Sequence, residues 1–160
     1  KGIDFSMFWQ GVAKRDLWLD GPMFWGISGG EWQSTGLKEH LDYYRPENTT
    51  SVFGPNTNAY FPKMYMSKDM NQKVQTRYLQ NGAYARLKNI QLGYTFPTQI
   101  INKLHMQKLR VYVSAENVLT ITSLPSGFDP ETTYSSYSDG NSGKTYPLQT
   151  TISFGLNATF

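Results

Sequence analysis

Catalysis and metal binding need polar side chains at definite spacings, and this sequence offers few. The two histidines, His40 and His105, lie far apart in the chain and match no metal-ligand spacing. There is no cysteine, which excludes disulfide staples and thiolate-bound metals. Asp139-Gly140-Asn141 opens in the manner of a calcium loop, but Gly143 stands where a third oxygen ligand is needed and no closing glutamate follows. Asp16 and Asp20 lack a partner with which to share acid–base work. A Ser-His-Asp order, a nucleophile elbow and a phosphate loop are all missing. The expectation is a chain that is not an enzyme and has neither metal nor cofactor.

Aromatic surface, by contrast, is abundant: 11 Tyr, 9 Phe and 4 Trp. Trp18, Trp25, Trp32, Tyr43, Tyr44 and Tyr60 fall in one long connecting segment. Aromatic faces stack on sugars, so Trp18, Trp25, Trp32, Tyr43 and Tyr44 are the candidates for touching a glycan or a lid-like partner. The competing use is packing a large loop against itself, and it carries more weight, because large aromatics supply most of the burial in loop cores. Gly127-Phe128-Asp129-Pro130-Glu131 has turn chemistry, for which a structural role is the stronger expectation.

The elements that must position these residues show period-two alternation, the signature of strands. Ile3, Phe5, Met7 and Trp9 alternate with Asp4, Ser6, Phe8 and Gln10. Ile90, Leu92, Tyr94 and Phe96 alternate with Asn89, Gln91, Gly93 and Thr95, and Leu109, Val111, Val113 and Ala115 with Arg110, Tyr112, Ser114 and Glu116. At the end, Ile152, Phe154, Leu156, Ala158 and Phe160 alternate with Thr151, Ser153, Gly155, Asn157 and Thr159. Strands are therefore predicted over about 3–12, 83–96, 109–122 and 147–160. The alternating segment Thr150 to Phe160 has the 9–11 residues with which a strand crosses a bilayer.

The chain is hydrophilic on average, but a barrel strand exposes apolar residues only at every second position, so hydropathy alone cannot argue for a soluble protein. No apolar run approaches the ~18 residues of a membrane helix, which excludes a helical membrane protein. A net charge of +3 is too small and too scattered for nucleic acid.

The connections run long (13–82), short (97–108), long (123–146), which suits extracellular loops on either side of a periplasmic turn. A helical stretch is expected around Gln99 to Leu104. Two positions test the pattern. Arg86 and Lys88 have the parity of the lipid-facing residues, and are tolerated only near a rim. Asn117 has the parity of Val113, which a bulge near Glu116-Asn117 would repair.

The last strand, with Ser153, Gly155, Ala158 and Phe160, resembles the assembly signal at the end of bacterial outer-membrane proteins. Further segments resemble the C-terminal end of the SusC/RagA family, the TonB-dependent transporters of Bacteroidetes. They include Gly2-Ile3-Asp4-Phe5-Ser6-Met7-Phe8-Trp9-Gln10-Gly11, Glu31-Trp32-Gln33-Ser34-Thr35 and Glu39-His40-Leu41-Asp42-Tyr43-Tyr44-Arg45. Others are Arg77-Tyr78-Leu79-Gln80-Asn81-Gly82-Ala83-Tyr84, Arg86-Leu87-Lys88-Asn89-Ile90-Gln91-Leu92-Gly93-Tyr94 and Leu109-Arg110-Val111-Tyr112-Val113 with Glu116-Asn117. Together with the terminal strand they span nearly the whole sequence in order.

The resemblance implies an all-β, transmembrane antiparallel barrel of about 22 strands with a plugged lumen. Residues 1–160 would supply about its last four strands. It implies import of oligosaccharides, or peptides, across the cell outer membrane. The implied partners are TonB, a SusD-like surface lipoprotein, the rest of the barrel and plug, the barrel-assembly machinery and membrane lipid; nucleic acid is not among them. Four strands cannot close a barrel, and the chain opens on Lys1 with no signal peptide, so a longer polypeptide is expected. A trimer pooling its strands would also close, but the long first loop and the family motifs argue against it. The rival class is a soluble all-β module that holds carbohydrate with its aromatics.

Overall fold

The computed structural model describes residues 2–29, 36–66, 70–133 and 142–160. Trp32 and Asp139-Gly140-Asn141, singled out above, lie outside these residues. The chain divides into two units, one built of residues 1–15, 82–123 and 148–160, the other of 16–81 and 124–147.

The first unit is a four-stranded antiparallel sheet. Its strands are β1 (Ile3–Val12), β4 (Tyr84–Thr95), β5 (Lys108–Thr122) and β6 (Thr151–Thr159), in the order β1-β4-β5-β6. The register builds the two faces residue by residue. Phe5, Leu92, Val113 and Phe154 stand in one row, and Met7, Ile90, Ala115 and Ile152 in the next. On the opposite face Ser6, Gln91, Ser114 and Ser153 form a polar row. The apolar rows are uncovered: Phe5 is 58%, Met7 59%, Leu156 63% and Phe154 84% exposed. A sheet that packed this face against a second layer would bury those side chains.

The chain leaves the sheet at Val12 and Thr122 and re-enters it at Tyr84 and Thr151. The opposite end is closed by the short connection, which holds α2 (Thr98–Ile101) and a 3-10 turn over Asn102–Leu104, where the helical stretch was expected.

Two irregularities interrupt the alternation: the bulge expected near Glu116-Asn117 is present, and a second at Lys88 corrects the face assigned to Arg86. The register steps between Leu87 and Asn89 against both neighbouring strands, and on β5 Asn117 and Val118 occupy the same interval. Asn117 takes a left-handed φ of 52°, a conformation asparagine tolerates better than most residues. Beyond the bulge Arg86 stands in the row of Gln10 and Thr120, on the polar face and not the apolar one. It is 2% exposed and donates from Nε to Thr120 Oγ1 at 2.7 Å. The bulge also shortens β6, whose ladder opens at Thr151 opposite Glu116 rather than at 147. Asn117 instead holds the approaching chain: its Nδ2 donates to the Gln149 carbonyl at 3.2 Å, and Thr150 Oγ1 donates to the Asn117 carbonyl at 3.0 Å.

The second unit has its own small sheet, β2 (Asp16–Leu17) paired with β3 (Gln80–Asn81). Two residues per strand leave no periodicity to detect, so the sequence carries no sign of it.

Candidate functional site

The second unit holds an aromatic core and, beside it, a cleft. Leu17 ends β2 and Leu19 follows it, and Gly21, at φ 84°, turns the chain into α1 (Pro22–Trp25). Pro22 sits in the first turn, where its missing N–H costs nothing. Leu17, Leu19, Phe24, Trp25, Phe61, Tyr78, Leu124 and Phe128 form the buried cluster. Their rings meet edge to face: Trp25 on Tyr78 at 4.8 Å, Phe24 on Trp25 at 5.1 Å and Phe24 on Phe61 at 5.6 Å. These separations lie in the range where aromatic pairs attract beyond their area burial.

Polar side chains fasten the surrounding loops to this core. His40 is buried, its Nδ1 accepting from the Leu37 N–H at 3.0 Å and its Nε2 lying 3.1 Å from the Phe24 carbonyl. A neutral ring with its proton on Nε2 satisfies both, so neither nitrogen is left for a metal. Arg45, also buried, donates to the carbonyls of Gly54 at 2.6 Å and Leu41 at 2.8 Å, and its guanidinium lies 4.7 Å from the Tyr43 ring. Asp42 accepts from Asn56 Nδ2 at 2.8 Å and from the Tyr60 N–H at 3.2 Å. In the turn that carries Phe128 into the core, Gly127 has φ 90° and Asp129 Oδ1 accepts from the Glu131 N–H at 2.8 Å.

The cleft, of about 430 Å³, is floored by Phe24, Phe61, Phe128 and Met23, and edged by Tyr60, Glu39, Asp42, Gln80 and Ser126. Its size is that of a small-ligand site. Gln80 Nε2 donates to Tyr60 Oη at 2.9 Å and to the Tyr78 carbonyl at 2.7 Å, which fixes the tyrosine at the mouth. An apolar group can seat on the floor while a hydroxyl or amine donates to the rim carboxylates. That is recognition chemistry.

The sequence candidates fare unequally. Trp25, expected among the ligand contacts, is 1% exposed and belongs to the core; burial removes it from any ligand. Trp18 and Tyr43 are partly buried against that core. Tyr44 is exposed, and Tyr60 lines the cleft. Met23, Glu39, Gln80 and Ser126 escaped notice because the cleft joins segments distant in sequence, and no spacing marks them. In the main sheet Ser153 stands opposite Ser114 and Gly155 opposite Tyr112 on the polar face, Ala158 opposite Leu109. Phe160 is exposed just beyond β6.

No family model matches the chain. Among curated proteins it is 35% identical over 167 residues to TonB-dependent receptor P3 of Formosa agariphila, covering all of this chain and 15% of that protein. It is 25% identical over 166 residues to TonB-dependent receptor P26 of the same organism, covering all of this chain and 16% of that one. Among solved structures, the RagAB peptide transporter matches the whole chain with a TM-score of 0.70 at 25% identity, over 16% of its own length. The RagAB peptide importer in its closed-closed state shares the fold, with a TM-score of 0.66 at 23% identity. The chain thus spans about one-sixth of the length of the proteins it matches.

Proposed function

The chain belongs to the SusC/RagA family of TonB-dependent outer-membrane β-barrel transporters, and from that premise we propose that it forms four neighbouring wall strands and two extracellular loops of such a barrel. The observation that carries this is the main sheet, a meander whose apolar face is uncovered while the other face is polar. The apolar rows face lipid and the polar rows face the lumen, so Arg86 and Arg110 avoid the cost of about 2–4 kcal/mol for a cation at the bilayer midplane, and Glu116 avoids the smaller cost of a carboxylate there. Residues 13–82 and 123–146 are extracellular and 97–108 periplasmic. The complete protein is a plugged barrel of about 22 strands. It is driven through TonB, works with a SusD-like lipoprotein and imports an oligosaccharide or a peptide; the likeness to a peptide importer favours asking about peptides first. The cleft of the second unit, with Glu39 and Tyr60 at its mouth, contacts the solute or the lipoprotein.

The test uses the full-length transporter. Unboiled, it should migrate faster in detergent gels than after boiling, and cells should take up a fluorescent oligopeptide or a fluorescent oligosaccharide only when TonB is present. A protein that shows no shift on boiling, or uptake that persists without TonB, would defeat the proposal. Glu39→Gln, at an exposed carboxylate, should lower uptake at unchanged surface level. Phe160→Ser should do the reverse, reducing the amount of folded barrel while uptake per folded molecule stays near normal, because a terminal aromatic anchors the strand at the interface.

A further inference from the structure

On the polar face of the main sheet two glycines act as notches, and each is filled by a side chain from a neighbouring strand. Gly93 of β4 stands between Asp4 of β1 and Tyr112 of β5. A Cβ there would lie 2.6 Å from Asp4 Oδ2 and would also strike the Arg110 guanidinium. Across this notch Arg110 donates from Nε to Asp4 Oδ2 at 3.0 Å and from Nη2 to Oδ1 at 2.5 Å, a two-pronged bridge from β5 to β1 that passes over β4. Gly155 of β6 stands directly opposite Tyr112, and a Cβ there would fall among the atoms of the phenol ring. The Arg110 guanidinium in turn lies 4.9 Å from the Tyr112 ring centre. Contacts therefore run unbroken over all four strands, from Asp4 through Arg110 and Tyr112 to Gly155.

We propose that this row is a register clamp, with Tyr112 and Gly155 the positioning residues that select where β6 pairs with β5. Alternation of apolar and polar residues cannot make that selection alone. A slip of one residue is forbidden because it exchanges the faces, but a slip of two keeps every apolar side chain on the apolar face. It would set Tyr112 against Ser153 or Asn157 instead of Gly155. Among Thr151, Ser153, Gly155, Asn157 and Thr159, the polar-face positions of β6, only Gly155 leaves room for the ring. On β4, Gly93 is likewise the one glycine among Asn89, Gln91, Gly93 and Thr95. The bidentate Arg110–Asp4 bridge, whose geometry tolerates little displacement, then aligns β1 with β5. Gly155 lies within the stretch that resembles the assembly signal, and the clamp gives it a role inside the folded sheet.

The inference rests on the barrel reading, so the assay carries its own control. Full-length transporter is refolded from urea into detergent micelles and followed by its shift on boiling, with paired cysteines reporting register. Val113→Cys with Phe154→Cys are opposed in the native register; Val111→Cys with Phe154→Cys become opposed after a slip of two. Tyr112→Ala should slow refolding and raise the slipped disulfide relative to the native one, each by about twofold to tenfold, the range that an aromatic contact commands. Gly155→Ala should do the same by pushing the ring aside, and the double variant should be no worse than either single one. Tyr112→Phe should behave as wild type, since the ring and not the hydroxyl fills the notch. If Tyr112→Ala gives no folded barrel, Tyr112→Leu supports the same comparison. Unchanged disulfide ratio and refolding rate in the alanine or leucine variant, or additive effects of the two alanine substitutions, would overturn the clamp. Failure of the wild-type protein to shift on boiling would instead overturn the barrel reading.

Discussion

Trp25→Ala is the sharpest probe of the loop unit. The indole is 1% exposed and meets the rings of Phe24, Phe61, Tyr78 and Trp18 at 5.1, 6.3, 4.8 and 5.9 Å. Truncating a core tryptophan to alanine costs about 3–5 kcal/mol, because lost transfer energy adds to the cavity left behind. At about 1.4 kcal/mol per power of ten, the opening equilibrium of the loop should rise roughly a hundredfold to several thousandfold. Native-state trypsin digestion of transporter in outer-membrane vesicles measures this, since cleavage follows the population of the open form when reclosing is fast. Cleavage within residues 36–77 should accelerate by that factor. The boil shift should persist, because the strands are held by their own backbone ladders. Val52→Ser, at a position 94% exposed, is the control and should stay within about 0.5 kcal/mol of wild type. Unchanged loop cleavage in Trp25→Ala would refute the core assignment, and loss of the boil shift would refute the independence of loop and sheet.

Two further substitutions test local geometry. Asn117→Val places a β-branched residue at φ 52°, so it should lower the urea midpoint of the refolded transporter by the equivalent of about 1–3 kcal/mol, whereas Asn117→Gly should cost much less; equal effects would show that the left-handed bulge is not what matters. Arg45→Lys cannot reproduce a planar fork that reaches the carbonyls of Gly54 and Leu41 together, so amide exchange at Gly54 and Asn56 should speed up by about tenfold or more, with no change at residues paired in the main sheet.

The strands were legible because alternation in a barrel wall is imposed position by position. Phe5, Leu92, Val113 and Phe154 each announce the same face before any pairing is known, and the register then aligns them. The rule failed where the backbone departs from period two. Counting parity through Lys88 puts Arg86 on the apolar face; the bulge returns it to the polar row beside Thr120. Asn117 was the readable trace of that bulge, being a polar residue at an apolar parity and of a type that accepts positive φ. The cleft was not legible at all. Its floor comes from α1, Phe61 and Phe128 and its rim from Glu39, Asp42 and Gln80, and composition alone cannot separate a tryptophan that binds a ligand from one that fills a core.

That the loop should be so aromatic follows from the wall it is attached to. In the main sheet most apolar side chains are turned away from the polar face and stay exposed or half-exposed, Leu87 being the buried exception, so the strands of this unit offer little interior in which to gather them. A long connection cannot borrow burial from such strands, and ordering each of its residues costs about 1–2 kcal/mol of backbone entropy. Fully burying a Leu or Phe side chain recovers only about 1.5–3 kcal/mol. The connection must therefore carry its own core, and bulky rings deliver the most buried area per ordered residue. Trp25, Phe24, Phe61, Tyr78 and Phe128 supply that core, while His40 and Arg45 use buried polar groups to pin the flanking turns to it. The same economy explains why Tyr44 and Tyr60 are the better places to look for ligand contact. They belong to the same aromatic-rich segment but lie at its surface, one exposed and one at the mouth of the cleft, held in place by a core whose own aromatics are already spent on packing.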